Sequence, residues 1–280
     1  MNNETIFDLQ DVSFAYEGKQ TALEHVSLSI NAGERIVVLG SNGSGKSTLL
    51  KLLDGLYFAT VGVVNAYGQP LTEVAFDDDA FNFAFRRKVG LVFQDTDVQL
   101  FSPSVWEEVA FAPMQMGLGK AEVNARVDSA LHALRIEKLR DRAPHRLSGG
   151  EKRRVALASV LTLQPDVWLL DEPTTGLDPR SQSWLVNFIV DQGRAGHTVI
   201  TATHDLSIVD AIADRVYVFD EAHHVVAQGT PHAILSNNEL LLACNLSHDH
   251  VHRHDDGNEH MHPHVHPLAH THTHALKREA

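Results

Sequence analysis

The sequence predicts an α/β domain built around a mainly parallel sheet. The first observation is a set of continuous apolar runs, which are typical of strands buried on both faces; they lie at 36–39, 89–93, 167–170, 199–200 and 216–219. The second observation is a set of stretches with helical periodicity between these runs; they lie at 47–56, 120–134, 150–163, 181–190 and 206–213. Strands that alternate with helices are typical of a parallel sheet covered by helices.

Two regions depart from this alternation. The segments 6–14 and 26–30 alternate apolar and polar residues, so we expect half-buried strands and an antiparallel β subdomain at the N-terminus. The stretch from Gln94 to Leu147 contains no strong strand pattern. We therefore predict a helical insertion over about residues 95–147.

The composition divides the chain into two parts. Residues 1–240 contain the apolar runs and the helical stretches, and we predict that they form one folded domain. Hydrophobic residues make up 43% of the chain and charged residues 21%, a mixture that is sufficient for a sizeable core. Residues 247–280 are polar, rich in histidine and almost without core residues, so we predict a disordered tail.

Charge and cysteine content exclude several classes of protein. The chain has 23 Lys and Arg against 36 Asp and Glu, a formal net charge of −13, which excludes a non-specific nucleic-acid binder. Cys244 is the only cysteine, so an internal disulfide is excluded and a reducing compartment is indicated. The N-terminus lacks the pattern of a signal peptide, so we expect no export, and no apolar run reaches the ~18 residues of a membrane helix. The carboxylates at 77–79 are predicted to form a solvated loop.

A phosphate-binding loop follows the first apolar run. Nine residues fit the pattern G-x-x-x-x-G-K-[ST]: Gly40, Ser41, Asn42, Gly43, Ser44, Gly45, Lys46, Ser47 and Thr48. Backbone N–H groups and a helix N-terminus would bind the phosphates, Lys46 would contact the β- and γ-phosphates, and Ser47 would ligate Mg²⁺. The alternative is a Gly/Ser turn before a buried helix.

Two acidic residues end the apolar run at 167–170. Asp171 would lie beside the Mg²⁺ ion held by Ser47, and Glu172 would act as the general base on the attacking water. The alternative is a pair of acids that cap the turn at Pro173. Together with Lys46, these residues predict a Mg²⁺–nucleotide hydrolase.

Several motifs resemble those of one family of such hydrolases. Leu147-Ser148-Gly149-Gly150-Glu151 resembles the signature motif of ATP-binding-cassette (ABC) ATPases, although in isolation it could be a capped helix start. Four further marks stand in the order of that family: Tyr16, Gln94, Gly176-Leu177-Asp178 and His204. The resemblance covers about residues 5–235 and implies a P-loop ABC ATPase domain that uses ATP and Mg²⁺.

The resemblance also implies roles for these residues. Tyr16 would stack on adenine, Gln94 would contact Mg²⁺ and sense a membrane partner, and His204 would contact the γ-phosphate. Asp178 is assigned to the nucleotide-binding set. Ser148, Gly149 and Gly150 would complete the site of a second ATPase subunit, so we expect a dimer, with a homodimer favoured. The alternatives are a packing role for Tyr16 and a strand cap for His204.

Residues 92–101 and 104–113 resemble the ATPase of energy-coupling-factor importers, which take up vitamins or transition metals. The sequence departs from that subgroup at Asp95 and Thr96, where the subgroup has Asn and Pro, so we expect a less rigid loop after Gln94. This resemblance implies an integral-membrane coupling subunit, a metal-specific membrane subunit and a position at the cytoplasmic face of the cell membrane.

Histidines recur at alternate positions near the C-terminus. Eleven of the 19 histidines have this arrangement: His248, His250, His252, His254, His260, His262, His264, His266, His270, His272 and His274. Imidazole suits Ni²⁺, Co²⁺ and Zn²⁺ rather than Mg²⁺ or Ca²⁺, so we predict a transition-metal site on this tail. An affinity tag and an inert polar tail are the alternatives.

The favoured hypothesis is the energising subunit of a nickel or cobalt importer. An importer ATPase for a vitamin or zinc is an alternative within the same class. A soluble ABC ATPase acting on DNA or ribosomes, and a metal store or sensor, are hypotheses from other classes. The soluble ATPase hypothesis conflicts with the net charge of −13. The metal store or sensor hypothesis conflicts with the intact Glu172 and His204.

Overall fold

A computed structural model of the protein describes residues 4–18, 20–247, 249–253 and 259–263. In chain order its strands are β1 (Thr5–Tyr16), β2 (Gln20–Asn31), β3 (Arg35–Leu39), β4 (Val61–Ala66), β5 (Gln69–Pro70), β6 (Val89–Val92), β7 (Val167–Asp171), β8 (Thr198–Thr203), β9 (Arg215–Phe219), β10 (Val225–Gly229), β11 (Asp249–Arg253) and β12 (Glu259–Pro263). Its α-helices are α1 (Lys46–Leu53), α2 (Glu73–Phe76), α3 (Asp79–Lys88), α4 (Val105–Gln115), α5 (Lys120–Ala133), α6 (Gly149–Leu161), α7 (Pro179–Arg194), α8 (Leu206–Ile212), α9 (Pro231–Leu235) and α10 (Asn238–Ala243).

The central sheet has six strands in the order β10-β9-β3-β8-β7-β6. Its neighbours from β9 to β6 pair in parallel, and β10 joins the edge antiparallel to β9. The predicted parallel sheet is confirmed. Because β8 lies between β3 and β7, the carboxyl ends of these three strands meet at one edge of the sheet, where Leu39 pairs with Thr203 and Asp171 with Ala202.

A second sheet of four antiparallel strands, in the order β2-β1-β4-β5, forms from the N-terminal segments. It confirms the predicted antiparallel subdomain. Alternate residues of β3 separate the core into two clusters, as expected of a strand buried on both faces. Val37 and Leu39 pack with the helices around α6, whereas Ile36 and Val38 pack with α1 and the antiparallel sheet.

The chain from 94 to 147 contains α4, α5 and two short 3₁₀ turns at Glu137–Leu139 and Pro144–Arg146, and no strand. This confirms the predicted helical insertion. Its apolar residues share a cluster with α6, so α6 joins the insertion to the central sheet.

The carboxylates at 77–79, predicted as a solvated loop, are all exposed: Asp77 and Asp78 lie in the turn between α2 and α3, and Asp79 begins α3. The Asp78 side chain accepts a hydrogen bond from the N–H of Ala80, at 2.9 Å, and therefore caps α3. The predicted exposure is confirmed, and the part that the sequence analysis missed is the start of α3, because a carboxylate run also suits a helix N-terminus.

Within 247–280 the described segments include β11 and β12, which pair antiparallel. The register places His250 opposite His262 and His252 opposite His260. The remaining tail histidines, and with them much of the predicted disordered tail, lie outside the described residues. Over the part of the chain that is described, none of the helices has the length and apolar character needed to cross a bilayer.

Candidate active site

The loop between β3 and α1 is built on glycines that cannot be replaced without strain. Gly45, the N-cap of α1, has a φ of 107°, and a Cβ atom there would lie 2.2 Å from the carbonyl oxygen of Ala22. A Cβ atom at Gly40 would lie 2.4 Å from the Oγ of Ser44, and Gly43 has a φ of 86°. The close approaches and positive φ angles explain the spacing of the three glycines.

Lys46 is buried at the first turn of α1, with 5% of its surface exposed. Its Nζ donates to the carbonyl oxygens of Gly40, at 2.8 Å, and Ser41, at 3.0 Å. It also lies 3.3 Å from Oε1 of Glu172, which is 3% exposed. The loop and the end of β7 are therefore joined by one buried ammonium group.

Ser47 and Asp171 meet at the same edge of the sheet. The Ser47 Oγ donates to Oδ1 of Asp171 at 2.8 Å. Burial raises the pKa of the Asp171 carboxyl, while the hydrogen bond from Ser47 acts in the opposite direction. A hydroxyl and a carboxylate side by side are oxygen ligands of the kind that Mg²⁺ requires, so the predicted donors fit this ion.

Glu172 follows β7 in a left-handed backbone conformation with a φ of 41°. Its N–H donates to the carbonyl oxygen of Ala202 at 2.9 Å, which fixes the residue against β8. Its Oε1 lies 2.9 Å from Nδ1 of His204, and its Oε2 accepts from Thr203 Oγ1 at 3.3 Å. Glu172 and His204, predicted from distant parts of the sequence, are thus in direct contact.

Most of the predicted nucleotide-binding residues line one cleft of about 360 Å³. These residues are Tyr16, Asn42, Gly43, Gly45, Lys46, Ser47, Thr48, Gln94 and Glu172. Gly40, Ser41 and Ser44 form the adjoining loop, in which the side chains of Ser41 and Ser44 are buried. The structure therefore brings the loop, the strand-end carboxylates and Gln94 together.

Tyr16 lies at the cleft and also packs against other aromatic side chains. Its hydroxyl lies 2.9 Å from Oγ1 of Thr48 at the cleft. Its ring packs edge-on against Phe14 and Tyr57, with centroids 5.1 and 5.5 Å away. The aromatic cluster holds the tyrosine at the wall of the cleft.

Sequence reasoning missed four residues of this cleft: Gln20, Thr21, Ala22 and His223. His223 lies in the turn between β9 and β10 with a φ of 70°, and its carbonyl oxygen accepts from the N–H of Glu24 at 3.1 Å. No motif marks these positions, because they reach the cleft only through the packing of the two sheets. A histidine in a hairpin turn was the only available signal.

Ser148, Gly149 and Gly150 do not line the cleft. Ser148 caps α6: its Oγ accepts from the N–H of Glu151, and Glu151 accepts from the N–H of Ser148 at 2.8 Å. The local alternative, a helix cap, is therefore present, but it leaves the serine and Gly149 on an exposed surface. The signature motif therefore lies outside the cleft of its own chain.

Asp178 also lies apart from the cleft and caps α7. It accepts from the Ser181 hydroxyl at 2.7 Å, and this bond together with backbone N–H donors lowers the pKa of Asp178. A Cβ atom at Gly150 would lie 3.1 Å from the Ser181 Oγ. The start of α6 and the start of α7 are thus neighbours on one surface.

Comparisons with known proteins identify the family. The ABC transporter profile matches residues 23–175, which is more than half of the chain. The chain belongs to the ABC transporter ATPase family. A putative ABC transporter ATP-binding protein of Methanosarcina acetivorans is 49% identical over 253 residues, covering 89% of this chain and 92% of that protein.

Two relatives carry more specific names. The nickel import ATP-binding protein NikO of Rhodobacter capsulatus is 49% identical over 243 residues, covering 86% of this chain and 95% of that protein. The solved structure of cbiO1 from Clostridium perfringens, part of the ABC transporter complex cbiONQ, has a TM-score of 0.73 and 37% identity, covering 87% of this chain and 95% of that one.

Membership of this family confirms three predictions from the sequence. The fold is the P-loop fold of ABC ATPases, and the chain is the ATP-hydrolysing subunit of an ABC transporter. It uses ATP and Mg²⁺, as ABC ATPases do, and such ATPases dimerise and pair with membrane subunits.

Proposed function

We propose that this chain is the energising subunit of an importer of the energy-coupling-factor type for a transition-metal ion, nickel or cobalt. The observation that carries the ATPase role is the convergence of Lys46, Ser47, Asp171, Glu172 and His204 at one edge of the central sheet. In this proposal Lys46 and the loop amides bind the phosphates, while Ser47 and Asp171 hold Mg²⁺, which neutralises phosphate charge when bound.

Glu172 is the proposed general base. Its carboxylate takes a proton from the attacking water as the water oxygen bonds to the γ-phosphorus and the bond to the β-phosphate oxygen breaks. His204, 2.9 Å from Oε1, and Thr203, 3.3 Å from Oε2, hold the carboxylate in one orientation. His204 is half-exposed and therefore also able to contact the γ-phosphate.

Replacing Glu172 by glutamine tests this role. Glu172→Gln keeps the size and most hydrogen bonds of the side chain but removes the base, so we expect ATP affinity within about threefold of wild type and turnover lower by about 100-fold or more. Measurements of ATP binding and phosphate release under the same conditions separate the two effects. Glu73→Gln, at an exposed position of α2, is the matched control. Turnover of Glu172→Gln near the wild-type rate would exclude Glu172 as the base.

We propose that two copies of this chain form the working ATPase. Ser148 and Gly149 are exposed and Gly150 is half-buried, and the three residues lie outside their own cleft, next to the start of α7. An exposed helix N-terminus with free backbone N–H groups is suited to a phosphate. A head-to-tail dimer would place this surface against the nucleotide bound by Lys46 of the other copy.

A cleft between α3 and α4 supports pairing with a membrane subunit at the cytoplasmic face of the membrane. This cleft of about 510 Å³ is lined by apolar side chains such as Phe83, Phe111 and Met116. Its charged residues are Arg87 and the ion pair of Arg86 with Asp54, so Arg87 is the charge that a partner would meet. Phe101 beside it is 67% exposed and packs edge-on against Phe111 at 5.1 Å. An apolar segment of the coupling subunit with an acidic residue would complement this surface.

The choice of a transition metal is supported by the tail and by the similarity to NikO, which is named as a nickel import ATP-binding protein. Directly opposed residues of an antiparallel pair have Cβ atoms about 4.5–5.5 Å apart, close enough for two imidazoles to share one ion. The register of β11 and β12 opposes His250 to His262 and His252 to His260. We propose that these histidines, with the other histidines of the tail, bind Ni²⁺, Co²⁺ or Zn²⁺ near the importer, whose membrane subunit selects the ion.

A further inference from the structure

Arg153 is a buried arginine of α6 that lies outside the nucleotide cleft. Only 4% of its surface is exposed, and burial lowers the pKa of the guanidinium. Asp171 and Asp95 favour its charge through space and partly offset this effect. An apolar side chain of similar length would fill the position without the cost of burying a charge, so packing alone does not account for an arginine here.

The guanidinium of Arg153 holds two consecutive backbone carbonyls. One terminal nitrogen donates to the carbonyl oxygen of Phe93 at 2.6 Å, and the other donates to that of Gln94 at 2.7 Å. Hydrogen bonds from an ionised donor are stronger than those between neutral groups. The backbone that carries Gln94, a residue of the nucleotide cleft, is therefore fixed to α6.

The neighbouring residue of α6 attaches the same loop at a second point. Lys152 Nζ lies 2.5 Å from Oδ1 of Asp97, whose side chain is exposed. An exposed ion pair is worth little, so this attachment is the weaker one. Two consecutive residues of one helix thus hold a loop of five residues at its start and its end.

The loop is also tied internally. The N–H of Phe93 donates to Gln99 Oε1 at 3.1 Å, and the N–H of Asp97 donates to Asp95 Oδ1 at 2.8 Å. Asp95 is one of the positions at which this sequence departs from its subgroup, and its side chain forms part of the turn. These hydrogen bonds hold the loop that the departures at Asp95 and Thr96 were expected to make less rigid, and Arg153 joins this loop to α6.

We propose that Arg153 is a positioning residue for Gln94. It makes α6, which begins with Gly149 and Gly150 at the proposed dimer surface, and the Gln94 backbone one rigid unit. When the signature motif of one chain binds the nucleotide held by the other copy, the position of Gln94 in the first chain is fixed as well. This inference rests on the proposed roles of Gln94 and of Ser148–Gly150. The experiments below distinguish a failure of those roles from a failure of the positioning role of Arg153.

The first experiment replaces Arg153 in the full-length chain. Arg153→Met keeps the aliphatic stem and removes both donors, whereas Arg153→Lys keeps the charge and one donor. We expect ATP affinity within about twofold of wild type in both, because the phosphate loop is intact. We expect kcat to fall at least tenfold in Arg153→Met and by a smaller factor in Arg153→Lys. We also expect the Mg²⁺ concentration for half-maximal turnover to rise more in Arg153→Met than in Arg153→Lys.

The second experiment combines Arg153→Met with Gln94→Ala. If Arg153 acts through Gln94, the double variant turns over within about twofold of Gln94→Ala alone. Effects of the two substitutions that multiply independently would overturn the proposal. If Gln94→Ala leaves turnover unchanged, the role of Gln94 is wrong and the inference falls with it, while the role of Glu172 is unaffected.

Arg126→Met is the matched control for loss of an arginine–carbonyl bond to the same helix. Arg126 donates to the carbonyl oxygen of Thr162 at 3.0 Å. Thr162 is the C-cap of α6, whereas Arg153 lies near the start of that helix. We expect kcat and the Mg²⁺ dependence to match wild type in this variant. An equal loss of kcat in Arg126→Met and Arg153→Met would show a general effect of α6 stability and would exclude a positioning role. Should Arg153→Met not fold, Arg153→Lys and its combination with Gln94→Ala decide the same question.

Discussion

At the scale of single residues, the candidate active site contains charges buried at one edge of a sheet. Lys46, Asp171 and Glu172 are nearly inaccessible to solvent, and each is paired with a partner from another segment. Buried charges are tolerated when they are paired and hydrogen-bonded. Asp54, at the end of α1, shows what happens where the pairing is only partial.

Asp54 makes the stability of the domain depend on pH. Burial raises its pKa from 3.8 to about 7, although Arg86 donates to its Oδ2 at 2.8 Å and acts in the opposite direction. The folded chain therefore binds a proton at this carboxyl more readily than the unfolded chain does. For this group, the free energy of unfolding falls as the pH rises from about 4 to about 7 and is constant above that range.

Asp54→Asn should remove this dependence while retaining an oxygen acceptor for Arg86. We expect the variant to gain stability relative to wild type as the pH rises from 5 to 7, and the gain to level off above 7. A pKa raised from 3.8 to about 7 limits the gain to on the order of 4 kcal/mol. Urea unfolding at pH 5, 6, 7 and 8 measures it, with the exposed Asp77→Asn as control. A difference between Asp54→Asn and wild type that does not change with pH would contradict the assignment.

At the scale of elements, α6 has three functions along its length. Its start carries the capping box of Ser148 and Glu151, and the hydrogen bond from the Ser148 N–H lowers the pKa of the Glu151 carboxyl. Its next turn holds the Gln94 loop through Arg153. Its later residues, such as Val155 and Leu157, are buried in the core. The helix thus connects an exposed surface, the nucleotide cleft and the core.

Ser148→Arg tests the surface at the start of α6. The bulky charge should block the nucleotide of the second copy, so we expect unchanged ATP binding by the single chain and hydrolysis reduced at least 100-fold. Loss of the cap alone costs about 1 kcal/mol. Thr230→Arg removes a comparable cap, at the start of α9, and serves as the control. The shared site would be excluded by a rate per chain that depends neither on Ser148→Arg nor on protein concentration.

At the scale of the whole molecule, the folded body extends to Ser247, although the composition places this residue in the tail. Leu246 packs against the core, and Ser247 is 8% exposed. Both residues lie beside His204 and Gly176 in a cleft of about 480 Å³. The described body therefore ends at Ser247, next to His204, and a truncation that spares the body ends after Ser247.

A chain ending at Ser247 should keep the fold and the basal ATPase rate, within about twofold, and should bind fewer Ni²⁺ ions. Binding to the full-length chain should weaken as the pH falls from about 7.5 to about 5.5, because protonated imidazole cannot bind metal. Cu²⁺ should bind most tightly, followed by Ni²⁺ and Zn²⁺ and then Co²⁺. Calorimetric titration compares the two chains, with thermal unfolding as the control for the fold. Equal Ni²⁺ stoichiometry would exclude the tail as a metal site.

The sequence by itself determined the fold class and the phosphate loop, and it located the acidic residues at the end of β7. These features are local. Gly45 adopts the positive φ that the loop requires, and Lys46 bonds to carbonyl oxygens only a few residues away. The apolar runs indicate which faces of the strands are buried. The antiparallel strands and the helical insertion followed from the same periodicity. The acidic run at 77–79 was correctly predicted to be solvated, but the helix start at Asp79 was missed because the same residues suit a loop and a helix cap.

Only the tertiary structure decided which distant residues meet. The placement of β8 between β3 and β7 joins Lys46 to Glu172 and Glu172 to His204. The packing of α6 joins Arg153 to Gln94, and the hairpin turn brings His223 to the cleft. Strand order, register and helix packing set such contacts, and a periodic pattern specifies the face of an element but not the neighbour that covers it.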